Sequence, residues 1–181
     1  KPLKEEDAPG AFLWTGDPKG SWYMRYETHE SLEDTKQWLR EEEKQLDSDL
    51  LYDFGFHKKD SDELIGSGGV TFNQQQGIWE LGCNLRRDCW NQGYGTEAAA
   101  AILSFAENTL HIHRVMARHA KDNTASGRVL EKNGFSFVRE CWDQKWSGSH
   151  RFECREYIWK SEKEEEKNSA ARNEVERFYD D

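Results

Sequence analysis

The chain lacks any run near the ~20 consecutive apolar residues that a membrane-crossing helix needs. It does not open on a basic stretch followed by an apolar one, as a secretory leader would. Positive charge is short as well. Twenty-five Lys and Arg face 35 Asp and Glu, a net charge of −10. Nucleic-acid binding wants a basic surface, so no nucleic-acid partner is expected, and no membrane partner. Cysteines number four, with no C-x-x-C pair and no His at zinc-finger spacing. That pattern predicts free thiols in a reducing, cytoplasmic setting and no bound metal. The pair His111 and His113 has no carboxylate or Cys beside it to complete a metal site. Only three prolines occur, all before residue 20, which predicts a turn-rich opening segment. A G-x-x-x-x-G-K-[ST] phosphate loop is absent, and so is any internal repeat.

What is present fits one compact unit. At 181 residues the chain has the length of about one domain. Apolar residues are only 35%, but eight Trp, nine Phe and six Tyr supply large units of buried surface. Residues 1–160 read as the domain. Residues 161–181 hold eight acidic and four basic side chains and read as a charged helical tail. Ala171, Val175, Phe178 and Tyr179 would form its one apolar stripe, able to dock on the body or on a second copy in a homodimer.

Hydrophobic periodicity divides the domain. Ser31 with Asp34 has the form of a capping box, and Leu32, Trp38, Leu39 and Leu46 follow as a helical stripe. Leu50–His57, Glu63–Phe72 and Gly77–Arg86 read as strands separated by turns, hence antiparallel. Gly66, Gly68 and Gly69 mark a bulge or a close backbone approach in the second. Helices follow at Thr96–Asn108, with Ala98, Ile102, Phe105 and Ala106 facing inward, and at Asp122–Lys132, which ends at Asn133-Gly134. His113–His119, Phe135–Trp142 and Arg151–Trp159 complete the strands.

One segment carries chemistry. A strand ending in GCNL leads to Asn91-Gln92-Gly93-Tyr94-Gly95-Thr96, and a helix starts at once. The first amides of a helix have no internal partner and carry the positive end of its dipole. Glycines let a ligand backbone come close, so this is an anion site suited to phosphate or diphosphate. Gly93-Tyr94-Gly95-Thr96-Glu97-Ala98 also matches the dinucleotide pattern G-x-G-x-x-A. The acidic residue that pattern needs ~20 positions later is missing, and Arg118 and His119 stand there instead.

The loop WNQGYG followed by TEA resembles the CoA-binding loop of the GNAT superfamily of N-acetyltransferases. Within it, the branch of ribosomal-protein N-terminal alanine/serine acetyltransferases is the most similar. Asn123-Thr124-Ala125-Ser126, then Val129-Leu130-Glu131-Lys132-Asn133-Gly134-Phe135, is similar to a second block of that branch. Trp79-Glu80-Leu81-Gly82 and Pro2-Leu3 with Glu6-Asp7 are similar to two more. The resemblance implies an α/β (α+β) fold: a mixed, mainly antiparallel, twisted sheet with helices on both faces. Most of that fold's first strand would lie before Lys1. It implies acetyl-CoA as co-substrate, held by the backbone of Asn91, Gln92, Gly93, Tyr94, Gly95 and Thr96. Leu85 and Arg86 would contact the pantetheine arm through the strand edge, and Asn123 would hydrogen-bond it. Arg86 and Arg87 are further candidates for CoA phosphates. Glu80 is the implied general base, directly or through water. Ser126 is the implied proton donor to the leaving thiolate, since Leu130 stands where many members carry Tyr.

The acceptor is then a primary amine, either a peptide N-terminus or a small molecule such as an amino acid or antibiotic. A non-catalytic CoA-binding module is the other reading. An α-amine is about a quarter neutral near pH 7.4, a lysine amine only ~0.1%, so an α-amine tolerates a weak base. A strand N–H such as that of Leu85 would stabilise the developing oxyanion.

Overall fold

The computed structural model describes residues 1–164 and 166. The chain opens with helices α1 (Ala8–Thr15), α2 (Pro18–Ser21) and α3 (Leu32–Gln45). Strands β1 (Leu51–His57), β2 (Leu64–Asn73) and β3 (Ile78–Leu85) follow. Then come α4 (Tyr94–Asn108), β4 (Arg114–Ala120), α5 (Thr124–Lys132), β5 (Ser136–Gln144) and β6 (Arg151–Lys160). The six strands form one sheet in the order β1-β2-β3-β4-β6-β5. Every neighbouring pair is antiparallel except β3 and β4, which run parallel.

The opening segment corrects the turn-rich expectation. Pro9 and Pro18 sit in the first turns of α1 and α2, where a missing N–H is harmless and a fixed φ favours the helix. Asp17 caps α2 by accepting from the Lys19 N–H at 3.1 Å. The box at the start of α3 is formed: the Asp34 N–H donates to Ser31 Oγ at 3.2 Å, and the Ser31 N–H to Asp34 Oδ2 at 2.8 Å. Of the leucine stripe, only Leu39 is fully buried. Helix α3 is a mainly polar helix that rests on α1 through Leu39 and turns Trp38 and Glu42, one turn apart, toward the sheet.

Helices cover both faces. On one face α4 and α5 pack on Val70, Leu81, Val115 and Tyr157. The buried stripe of α4 is Ala99, Ile102, Leu103 and Ala106, rotated by about one residue from the expected one. Phe105 stays half-buried, edge-on to Phe54 and Tyr52 of β1. On the other face α1 and α3 form a smaller cluster of Leu3, Ala8, Ala11, Trp14 and Leu39. The glycines of β2 mark close approach: a Cβ at Gly69 would lie 1.7 Å from the Tyr52 carbonyl oxygen. The expected bulge is there too: the register shifts between Phe56, which pairs with Gly66, and His57, which pairs with Leu64. The Gly55 N–H on the outer edge of β1 donates to the Lys1 carbonyl at 2.7 Å. The four cysteines are free thiols. The tail stripe Ala171 to Tyr179 lies outside the described residues. Among the described residues, no helix is long and apolar enough to cross a membrane.

Candidate active site

The parallel strands β3 and β4 stay paired only at Trp79 with Val115 and Glu80 with Met116. Beyond those residues they diverge, and the sheet opens. A cavity of about 660 Å³ runs through this opening. Thr96, Ser126 and Val129 line it on the α4/α5 face, and Trp14, Trp38 and Glu42 on the α1/α3 face.

Helix α4 points its N-terminus at the opening. Gly93 caps it in the left-handed region at φ +87°, and Asn91 is also left-handed at φ 57°. The helix makes its first internal bond from the Glu97 N–H to the Gly93 carbonyl, at 3.0 Å. The amides of Tyr94, Gly95 and Thr96 therefore precede any internal acceptor. A Cβ at Gly93 would meet nothing within 4 Å, so the space over the turn is open. Gly95 packs closely, its Cβ position 3.4 Å from Val129 and 3.5 Å from Leu85. Asn91, Gly93, Gly95 and Thr96 line the cavity, while Gln92 turns away and donates through Nε2 to the Asp88 carbonyl at 2.7 Å. On α5, Arg128 and Lys132 line the same end one helical turn apart. Free amides with two cations beside them suit a diphosphate.

Asn123 caps α5, its Oδ1 accepting from the Ser126 N–H at 3.4 Å. Both residues line the cavity. His119, on β4 beneath α5, donates from Nδ1 to the Ala120 carbonyl at 2.7 Å, which leaves Nε2 a bare, buried acceptor. Burial holds this imidazole below its usual pKa. Gly127 permits the contact, since a Cβ there would stand 2.9 Å from Nε2.

The strand edge is partly occupied. The Arg86 N–H bonds to the Ile65 carbonyl of β2 at 2.8 Å, so alternation turns the backbone groups of Leu85 toward the opening. The Leu85 carbonyl already accepts from the Trp90 indole at 2.9 Å. The Arg86 guanidinium faces away from the cavity. It pairs with Glu63 and Asp88, each at 2.6 Å, and those hydrogen bonds raise its pKa. Arg87 pairs with Asp17 at 2.9 Å. His113 is bound to Ser161 at 2.9 Å, and among the described residues no three metal-ligating side chains come together.

Glu80 lies where strand alternation predicts, on the face opposite Trp79 and Leu81. Arg25 Nη2 reaches Glu80 Oε1 at 2.7 Å, and Asn73 Nδ2 donates to Oε2 at 3.2 Å. The same guanidinium binds Asp143 through Nε at 2.7 Å. Burial alone would lower the Arg25 pKa, but the two carboxylates outweigh it and raise it. Lys145 holds the Arg25 segment in place. Its buried ammonium donates to the carbonyls of Ser21, Met24 and Tyr26 at 2.9, 3.0 and 2.8 Å. The Trp146 N–H binds the Arg25 carbonyl at 2.7 Å.

Sequence reasoning reached none of Arg25, Asn73, Asp143, Lys145, Glu42 or Asp53. No local motif links them. Arg128 and Lys132 did carry a signal, a cation pair at i and i+4 on α5, the second helix after the anion loop.

A helix start offering free amides beside the splayed ends of two parallel strands defines a CoA-dependent acyltransferase. Residues 1–136 match the Acetyltransferase (GNAT) domain, and the chain belongs to that family. It is an N-acetyltransferase, and enzymes of this family use acetyl-CoA. It is 26% identical over 144 residues to an uncharacterized N-acetyltransferase, p20, of Bacillus licheniformis, covering 76% of this chain and 77% of that one. It is 32% identical over 85 residues to the [ribosomal protein uS5]-alanine N-acetyltransferase of Escherichia coli, covering 45% and 43%. A GNAT-family acetyltransferase structure from Bacillus anthracis superposes with a TM-score of 0.74 at 21% identity, over 88% of this chain and 92% of that one.

Proposed function

We propose that the protein transfers acetyl directly from acetyl-CoA to a primary amine, both bound at once, with the thioester at the β3/β4 opening. The supporting observation is the cavity itself: it joins the free amides of α4 to Glu80 through the gap in the sheet. The amides of Gly93 to Thr96, with Arg128 and Lys132, hold the diphosphate. The edge of β3 near Leu85 and the side chain of Asn123 align the pantetheine arm. Acetyl-CoA supplies an activated acyl group on a thiol of pKa about 8.5, a fair leaving group that needs little help. Ser126, which lines the cavity, donates its hydroxyl proton to that thiolate and regains one from water. The amine must lose a proton to attack, and Glu80 is the group that receives it. Arg25 and Asn73 already engage both Glu80 oxygens, so the proton travels through a water.

The matched stretch shared with the uS5-alanine enzyme supports a peptide α-amine as acceptor. The side chains that line the far end of the cleft favour a second reading, a small amine. The transfer is tested by calorimetric titration with acetyl-CoA and NAD, followed by thiol release with an amine panel. Binding of acetyl-CoA without NAD, and amine-dependent release, are expected. Glu80→Gln should lower kcat about 10²- to 10⁴-fold while leaving acetyl-CoA affinity unchanged. A wild-type chain that binds neither CoA nor acetyl-CoA contradicts the proposal.

A further inference from the structure

Behind Glu80, on the α1/α3 face, the cleft continues across the sheet. Asp53 of β1, Gly69 of β2 and Gly82 of β3 lie in one register row. That row shares the face of Glu80, because Glu80 and Gly82 are two apart on one strand. Its two glycines leave the floor bare, and a Cβ at Gly82 would meet nothing within 4 Å. The floor therefore runs clear from the β3/β4 opening to Asp53.

At its far end Asp53 meets Glu42 of α3, carboxyl to carboxyl, and both line the cavity. Burial, then the neighbouring Glu42 charge, hold the Asp53 carboxyl well above the ordinary carboxylate range. Burial raises Glu42 too. Among the described residues, no Lys, Arg or His side chain acts on either carboxyl. The contrast with Glu80 and Asp143 is direct, since Arg25 forms an ion pair with each of those two. Aromatic rings wall the same space: Trp38 and Tyr26 flank His29, with ring centroids 6.1 and 5.8 Å from it. Paired carboxyls with no cation, inside an aromatic wall, are complementary to an alkylammonium.

We propose that the Glu42–Asp53 carboxyl pair determines acceptor specificity by binding the second ammonium group of a small diamine whose other amine lies at the β3/β4 opening. This rests on the acetyltransferase reading of the cleft. Two strand spacings put Asp53 about 10 Å from Gly82, a span that matches about four to six methylenes between the two nitrogens.

The test compares 1,6-diaminohexane, 1-aminohexane and 1,2-diaminoethane as acceptors, by thiol release at saturating acetyl-CoA. The long diamine should exceed both others in kcat/KM by about tenfold or more, as expected for one charge-assisted contact. In the Glu42→Gln, Asp53→Asn double variant the long diamine should fall to the level of 1-aminohexane, mainly through KM. Acetyl-CoA affinity and turnover of 1-aminohexane should persist in that variant, which shows that it is folded. Equal use of 1-aminohexane and 1,6-diaminohexane by the wild-type protein overturns the proposal without any variant, and leaves the transferase reading standing. Failure to bind acetyl-CoA or to acetylate any amine overturns both.

Discussion

The two ends of the cavity are built on different principles. The proposed donor end is backbone: four consecutive residues, Gly93 to Thr96, present amides because a helix must begin somewhere. The proposed acceptor end is side chain: Arg25, Glu42, Asp53, Glu80 and Asp143 come from five separate segments. A backbone site is contiguous and tolerates changes of side chain. A side-chain site is dispersed and depends on whatever holds its segments together.

Breaking the backbone end should have the largest effect. Gly93 stands at φ +87°, where a β-branched residue is strained, and the open space above the turn is where the diphosphate would sit. Gly93→Val is expected to weaken acetyl-CoA binding about 100-fold or more, measured by calorimetry. Thermal stability should fall as well, by about 1–3 kcal/mol, because the left-handed backbone strains an L side chain even where the space is open. Near-normal affinity would break the assignment of this end.

Lys145→Met sharpens the contrast from the other side. It leaves three carbonyls without their donor and frees the segment that carries Arg25. A stability loss of about 1–3 kcal/mol is expected in thermal or urea unfolding. The acceptor KM should rise while acetyl-CoA affinity holds. Equal damage to both affinities would mean that the two ends are not independent.

The smallest effect is expected at the seam between them. Gly127→Ala puts a methyl 2.9 Å from His119 Nε2 and pushes α5 off β4. A loss of about 1–2 kcal/mol is expected, with a modest drop in acetyl-CoA affinity because Asn123 and Arg128 shift with the helix. An unchanged melting temperature would show that the helix adjusts freely.

The same contrast explains what could be read from the sequence. The shape of the loop from Asn91 to Thr96 was legible because it follows from adjacent residues and one helix start. Glu80 was named through the resemblance carried by Trp79-Glu80-Leu81-Gly82, and strand alternation accounts for its face, opposite Trp79 and Leu81. The strand set and the α3 cap followed from period and local chemistry. Arg25 was not legible, because its partner Asp143 stands 118 positions away and only the fold brings them within 2.7 Å. Arg86 misled for the same reason. A strand-end arginine looks free for phosphate until Glu63, 23 positions earlier, is seen to hold it. Pro9 and Pro18 were read as turn residues when they start helices, an ambiguity inherent in a side chain that suits both.

Lys145 and Asp143 bracket the end of β5, where the chain reverses toward β6. That reversal is tied to the Arg25 segment by Lys145 and by the Trp146 N–H, and neither residue belongs to the glycine turn before α4. Recasting the bend would re-aim Arg25 while leaving the proposed diphosphate site at Gly93 to Thr96 alone. Acceptor choice in this scaffold can therefore drift, or be engineered, by editing a hairpin tip instead of redesigning a catalytic centre.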